Sequence, residues 1–157
     1  MKITLLSVGK TSFGYLQEGM DLYVKRLKHY VPFEYKEIPY PKLGKNPAEQ
    51  AVKDAEGKLI LKGVQPGDSL VLLDERGKSF TSPQFAQFLQ KKMNSGVKNL
   101  IFVIGGAYGF SDEVYERADQ KVSLSDMTFS HQMVRLFALE QIYRGFTILK
   151  GEPYHHQ

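Results

Sequence analysis

The chain has 157 residues, with 42% hydrophobic and 24% charged content, which fits a single globular domain over residues 1–157 with a real buried core. It has no cysteine, which excludes disulfides, thiolate nucleophiles and cysteine-ligated zinc. A net charge of +4 is only a mild invitation to polyanions such as RNA, because many basic proteins bind no nucleic acid.

The opening MKITLLSVGK carries an apolar run shorter than a secretory h-region, and no run approaches bilayer length, so a soluble, cytoplasmic protein is expected. Lys2–Val8 reads as a buried strand. Leu16, Met20, Tyr23, Val24 and Leu27 recur at helical spacing. Phe33–Ile38 reads as a second strand, nearer an edge because its charges alternate, and Pro39 and Pro41 then impose a loop. A second helix opens with Asn46 as N-cap, Pro47 at its first position and Glu49 as reciprocal cap. Ser69–Asp74 is a third, buried strand; a helix capped by Ser82 with Pro83 follows and ends at Gly96. Asn99–Ile104 is the most apolar strand. A short helix capped by Ser111, a weak fifth strand in KVSLS and a last helix from near His131 complete the chain. Strict alternation of strand and helix argues an α/β domain with a mostly parallel sheet flanked by helices.

In such sheets ligands bind outside the carboxyl ends of the strands, which singles out DERGK, GGAYGF and SDMTFSH. Gly105, Gly106 and Gly109 form G-G-x-x-G, which is neither a dinucleotide fingerprint nor a P-loop. They serve either a tight turn or close approach of a ligand to bare backbone. Asp74 reads as a turn aspartate rather than a phospho-acceptor, since no acidic cluster accompanies it to bind magnesium.

The last helix is apolar nearly all round, through Met133, Val134, Leu136, Phe137, Ala138, Leu139, Ile142, Tyr143 and Phe146. One sheet covers one face of it, so a second subunit is expected on the other and a homodimer follows. Glu140 and Arg144 have the spacing of a helix-surface ion pair. Arg135 has no acid at i+3 or i+4, which suggests an anionic ligand or partner group. His131, at the helix start, is either a neutral imidazole facing a ligand or a surface cap.

The segments LLDERGK, FVIGGAYGF and SLSDMTFSHQMVRLFALEQIYRGFTILKGEPYHH, with MKITLLSVGK, together resemble the small SPOUT-class methyltransferases that act on N3 of a pseudouridine in bacterial 23S ribosomal RNA, the ribosomal RNA large subunit methyltransferase H family. The resemblance runs essentially end to end. It implies a C-terminal trefoil knot, a cytoplasmic homodimer, S-adenosyl-L-methionine as cofactor and 23S rRNA within the assembled ribosome as partner, with no metal and no membrane. It places cofactor contacts on Leu73, Gly105, Leu124, Ser125, Asp126, Met127, Thr128 and Phe129, with Asp126 acting through its backbone because that position varies in relatives.

An imide nitrogen must lose its proton to accept a methyl group, so a base or an anion stabiliser is expected. His131 and the tail histidines are candidates for the first role, Arg135 and Arg144 for the second. Tyr23, Lys25, Arg26, Lys28, His29 and Tyr30 offer charge and stacking faces for RNA, or a solvated helix face. The ending GEPYHHQ reads as an outward-directed tail in which Tyr154 and His155 shape the pocket for the target base. Relatives usually carry arginine or lysine where His156 stands, so this tail is less reliably cationic. Two rival readings stay open: an RNA-binding dimer without transfer activity, and a methyltransferase with another RNA nucleotide as target.

Overall fold

The computed structural model describes residues 1–156. The order is β1 (Lys2–Val8), α1 (Gly14–Leu27), β2 (Phe33–Ile38), α2 (Glu49–Lys62), β3 (Ser69–Ser79), α3 (Ser82–Asn94), β4 (Asn99–Ile104), α4 (Asp112–Arg117), β5 (Gln120–Ser123) and α5 (Met133–Leu149). The strands form one sheet in the order β2-β1-β4-β3-β5, and every pairing is parallel. The alternating charges of β2 do place it at an edge.

Pleating sends alternate side chains to opposite faces. Leu100, Phe102 and Ile104 of β4 enter one core with Ile3 and Leu5, while Ile101 and Val103 enter the other with Leu6 and Val8. Helices α1, α3 and α5 cover the first face; α2 and α4 cover the second. A strand buried on both faces needs no polar alternation, which is why β1 and β4 read as apolar runs.

Local readings are revised at four places. Asn46 adopts a left-handed φ of +46° and does not cap α2; Ala48 holds that position without a side-chain bond. Thr81, not Ser82, caps α3, where a reciprocal capping box with Gln84 secures it. Residues DERGK are not a loop: β3 runs on to Ser79, with a register shift between Leu73 and Lys78 against β5. Gly77 permits this, since a Cβ there would lie 2.6 Å from the backbone of Lys121 and Val122. Tyr154 and His155 of the tail, finally, turn back onto α5 and Tyr23 of their own chain rather than outward, and Gln157 lies outside the described residues.

Helix α5 lies between α1 and α3, so much of the cover assigned to a second subunit comes from its own chain. What stays open is a strip of Phe137 and Phe129, stacked at 4.7 Å and each 40% exposed, with Met127, two residues before Phe129, at 77%.

Arg135 corrects another expectation. It is fully buried, and its anion is Glu37, 98 residues earlier in the chain. The guanidinium also donates to the carbonyls of Val8 (3.0 Å), Gly9 (2.8 Å) and His131 (3.0 Å), and to Thr11 Oγ1 (3.0 Å). It therefore ties the start of α5 to the carboxyl end of β1. Burial raises the Glu37 carboxyl, but hydrogen bonds from Thr11 and Tyr35 and the charge of Arg135 outweigh it and hold the group below the ordinary glutamate range.

Arg135→Met is expected to lower unfolding free energy by about 3 kcal/mol in urea titration, because it strands Glu37 and two strand-end carbonyls. A carboxylate with a depressed pKa contributes stability that is present above its unfolded value and lost as pH falls through its folded one. The stability difference between wild type and Glu37→Gln is thus expected to shrink below about pH 4.

Candidate active site

A cavity of about 560 Å³ opens at the carboxyl ends of β3, β4 and β5. Its size suits a nucleoside-sized ligand. Leu73 and Asp74 supply one wall, Gly105 to Phe110 a second, and Leu124, Ser125, Met127, Thr128 and Phe129 a third; His131 and Val134 close it from the start of α5. Of the expected cofactor positions all but Asp126 line the cavity. Lys53 of α2 lines it as well, a contribution the sequence did not suggest.

Local hydrogen bonds shape these walls. Ser125 Oγ accepts from the Met127 amide at 3.0 Å, and Ser123 Oγ donates to the Ser125 carbonyl at 3.0 Å, which folds the third wall into a tight turn. The Gly106 carbonyl accepts from the Gly109 amide at 3.2 Å and closes the glycine loop on itself. Asp74 accepts from the Tyr115 hydroxyl and from the Arg76 amide. Burial works to raise the Asp74 carboxyl, but these bonds and the Arg76 charge hold it below the usual range. Asp74 therefore anchors the β3 wall as a carboxylate rather than starting a turn. His131 Nε2 lies 3.2 Å from the Tyr40 hydroxyl, which ties the loop after β2 to the rim.

A second polar cluster lies elsewhere on the same chain. Glu140 Oε1 accepts from Arg144 Nη2 at 2.5 Å and from the Tyr154 hydroxyl at 3.0 Å. Arg144 Nη1 lies 3.1 Å from His155 Nδ1; arginine only donates, so Nδ1 accepts and the imidazole proton sits on Nε2. That Nε2 is buried without a partner among the described residues. Tyr154 packs edge-on to Tyr143 and lies 3.3 Å from the Tyr23 hydroxyl. Burial, then its bonds to Tyr23 and Glu140, raise the Tyr154 phenol, so it stays protonated at neutral pH. Tyr30 stacks on Phe146 and donates to Glu152 at 2.7 Å. Tyr23 and Tyr30 are thus engaged within the chain, while Lys25, Lys28 and His29 remain exposed.

Arg144, Tyr154 and His155 do not line the cavity. Val134, which does, precedes Arg144 by ten residues on α5, about 15 Å of helical rise. Of the candidates for proton transfer and charge stabilisation, the structure brings only His131 to the cavity of its own chain. Among the described residues no group of three or more His, Asp or Glu side chains is placed to hold a metal ion, and no helix is long and apolar enough to cross a membrane.

A parallel sheet whose three adjacent strand ends carry a glycine loop and a serine-capped turn around one nucleoside-sized cavity defines the class. The chain belongs to the SPOUT methyltransferases: residues 1–155 match the family model described as predicted SPOUT methyltransferase. It is similar to a protein of Cytophaga hutchinsonii named ribosomal RNA large subunit methyltransferase H, at 60% identity over 99% of this chain and 100% of that one. Proteins of the same name from Christiangramia forsetii and Parabacteroides distasonis are 59% and 58% identical over the full length of both chains.

Ser125→Ala is expected to loosen the third wall without unfolding the domain. Loss of one hydrogen bond of about 1 kcal/mol corresponds to a roughly fivefold rise in the S-adenosylmethionine Kd, read by calorimetry.

Proposed function

We propose that the protein uses S-adenosyl-L-methionine to methylate N3 of a pseudouridine in 23S ribosomal RNA, acting on the assembled ribosome in the cytoplasm as a homodimer. The observation that carries the reading is the cavity itself, on whose walls seven of the eight cofactor positions converge. Its lining suits the cofactor: backbone of the glycine loop and the 124–129 turn for the adenine edge, and Leu73, Ile104 and Leu124 for its faces. When bound there, S-adenosylmethionine supplies an electrophilic methyl group; the chain's own residues must position the acceptor and manage its proton.

His131 is our candidate for the proton acceptor, since it stands on the cavity rim with a ring nitrogen beside Tyr40. Arg144 is our candidate for stabilising the charge that develops on the target base, with Tyr154 and His155 as a stacking and hydrogen-bonding wall. Arg135 has no part in this, being saturated by Glu37 and the β1 carbonyls. Because Arg144 and the tail sit apart from their own cavity, they act in this reading on a base presented at the cavity of the second copy. The exposed strip of Phe129 and Phe137 supports such pairing. The trefoil knot belongs to the same reading. The chain leaves β5 at one edge of the sheet and returns across the strand ends to β1, where Gln132 bonds Lys10 and Ser12.

Mass spectrometry of 23S rRNA from a deletion strain tests the function: loss of the N3-methyl mark on pseudouridine, restored by the wild-type gene, is expected, and an unchanged mark would sink the assignment. A mark lost at another nucleotide would instead favour a different RNA target. Deleting residues 154–157 is expected to abolish methylation while sparing cofactor binding. Sedimentation at micromolar concentration is expected to show a dimer for both proteins.

A further inference from the structure

Outside the site just described, the molecule buries one acidic side chain for which no partner is apparent. Glu56 of α2 is 3% exposed, on the face of the helix that packs against the sheet and α4. Its Oε1 is buried with no hydrogen-bond partner among the described residues, and burial alone raises its carboxyl above the ordinary range. An aliphatic side chain in that place would cost less, so a carboxyl there calls for a role beyond packing.

Its neighbour suggests the role. A Cβ placed on Gly106 would lie 2.5 Å from Glu56 Oε2 and 2.6 Å from Oε1. The φ of Gly106 is not left-handed, so the position needs glycine for space and not for conformational freedom. The carboxyl occupies the room a side chain would take. Gly106 lines the cavity, and Lys53, one turn before Glu56, lines it too. The peptide of Gly106 is therefore held between the ligand space and a buried acid.

We propose that Glu56 is a positioning residue for the cofactor loop: packed on the bare Cα of Gly106, it sets the backbone of residues 105–109 for the adenosyl group and keeps Oε1 for a hydrogen bond with that loop when ligand is seated. This rests on the reading of the cavity as an S-adenosylmethionine site. Glu56 itself does not line the cavity. It acts through the loop as a fitted support, and Gly106 and Glu56 form a complementary pair in which each requires the other's size.

The test is calorimetric titration of the full chain with S-adenosylmethionine in wild type, E56Q, E56A, G106A and E56A/G106A. E56Q, neutral and of the same shape, is expected to keep wild-type affinity. E56A and G106A are each expected to weaken binding about tenfold, with the KM for the RNA substrate unchanged. The penalty of G106A is expected to vanish in the E56A background, because shortening the acid clears room for the new methyl group. Hydrogen exchange of the 105–110 amides in ligand-free E56A is expected to quicken. Wild-type affinity in E56A, or an equal G106A penalty in both backgrounds, overturns the proposal. Where E56A does not fold, E56D replaces it, since it withdraws the acid by one methylene; wild-type affinity in E56D is equally decisive against. A wild-type protein that binds no S-adenosylmethionine overturns the cavity reading and this proposal together, whereas wild-type binding with an indifferent Glu56 overturns this proposal alone.

Discussion

The buried guanidinium of Arg135 ties together the carboxyl end of β1, the end of β2 and the start of α5. Strand β1 ends in the middle of a parallel sheet, and the carbonyls of Val8 and Gly9 point past its end. Water cannot satisfy them there, and no further strand extends the ladder. Arg135 supplies the donors, and Glu37 at the end of β2 supplies the counter-charge that makes a buried cation tolerable. The arrangement sets the height at which α5 crosses the sheet. That in turn decides where His131 and Val134 stand against the cavity.

With α5 so placed, the chain carries a cavity made mainly of backbone and, apart from it, a cluster made mainly of charge. The cavity is mainly strand ends and tight turns, whose peptide groups are fixed by short-range bonds such as Ser125 to Met127. The cluster around Glu140 is mainly side chains bonded to one another within the same chain, with His155 Nε2 left unpartnered among the described residues. Such a division suits a transfer reaction. Rigid backbone can hold a small ligand in one pose, while a charged aromatic surface adapts to a large polyanion.

How much of this was legible in the sequence follows from the range of each interaction. The bounds of β1, β2 and β4 could be read because their signal is local. The far half of β3 could not: DERGK is charged and glycine-containing, and it pairs only with the edge strand β5, so nothing nearby in sequence announces the pairing. Thr81 and Ser82 are both competent caps, and the choice between them rests on which one places Gln84 at the third position. Arg135 could be recognised as unusual but not explained, since its acid is 98 residues away. Glu56 gave no signal at all, because a glutamate amid the lysines of α2 looks like an ordinary surface charge.

The reach of the Arg135 bonds also bears on how the protein comes to be folded. Its contacts to Gly9 and Val8 close chain separations of 126 and 127 residues. During synthesis the first strand emerges more than a hundred residues ahead of the group that supplies its final donors. The β-α-β unit of β1, α1 and β2 therefore lacks donors for its strand-end carbonyls until Arg135 has been added. Loop closure over such distances is slow, and it must precede the contacts that reward it. Closure of the first strand is thus a late step in folding, and a chain truncated before α5 lacks the group that makes it.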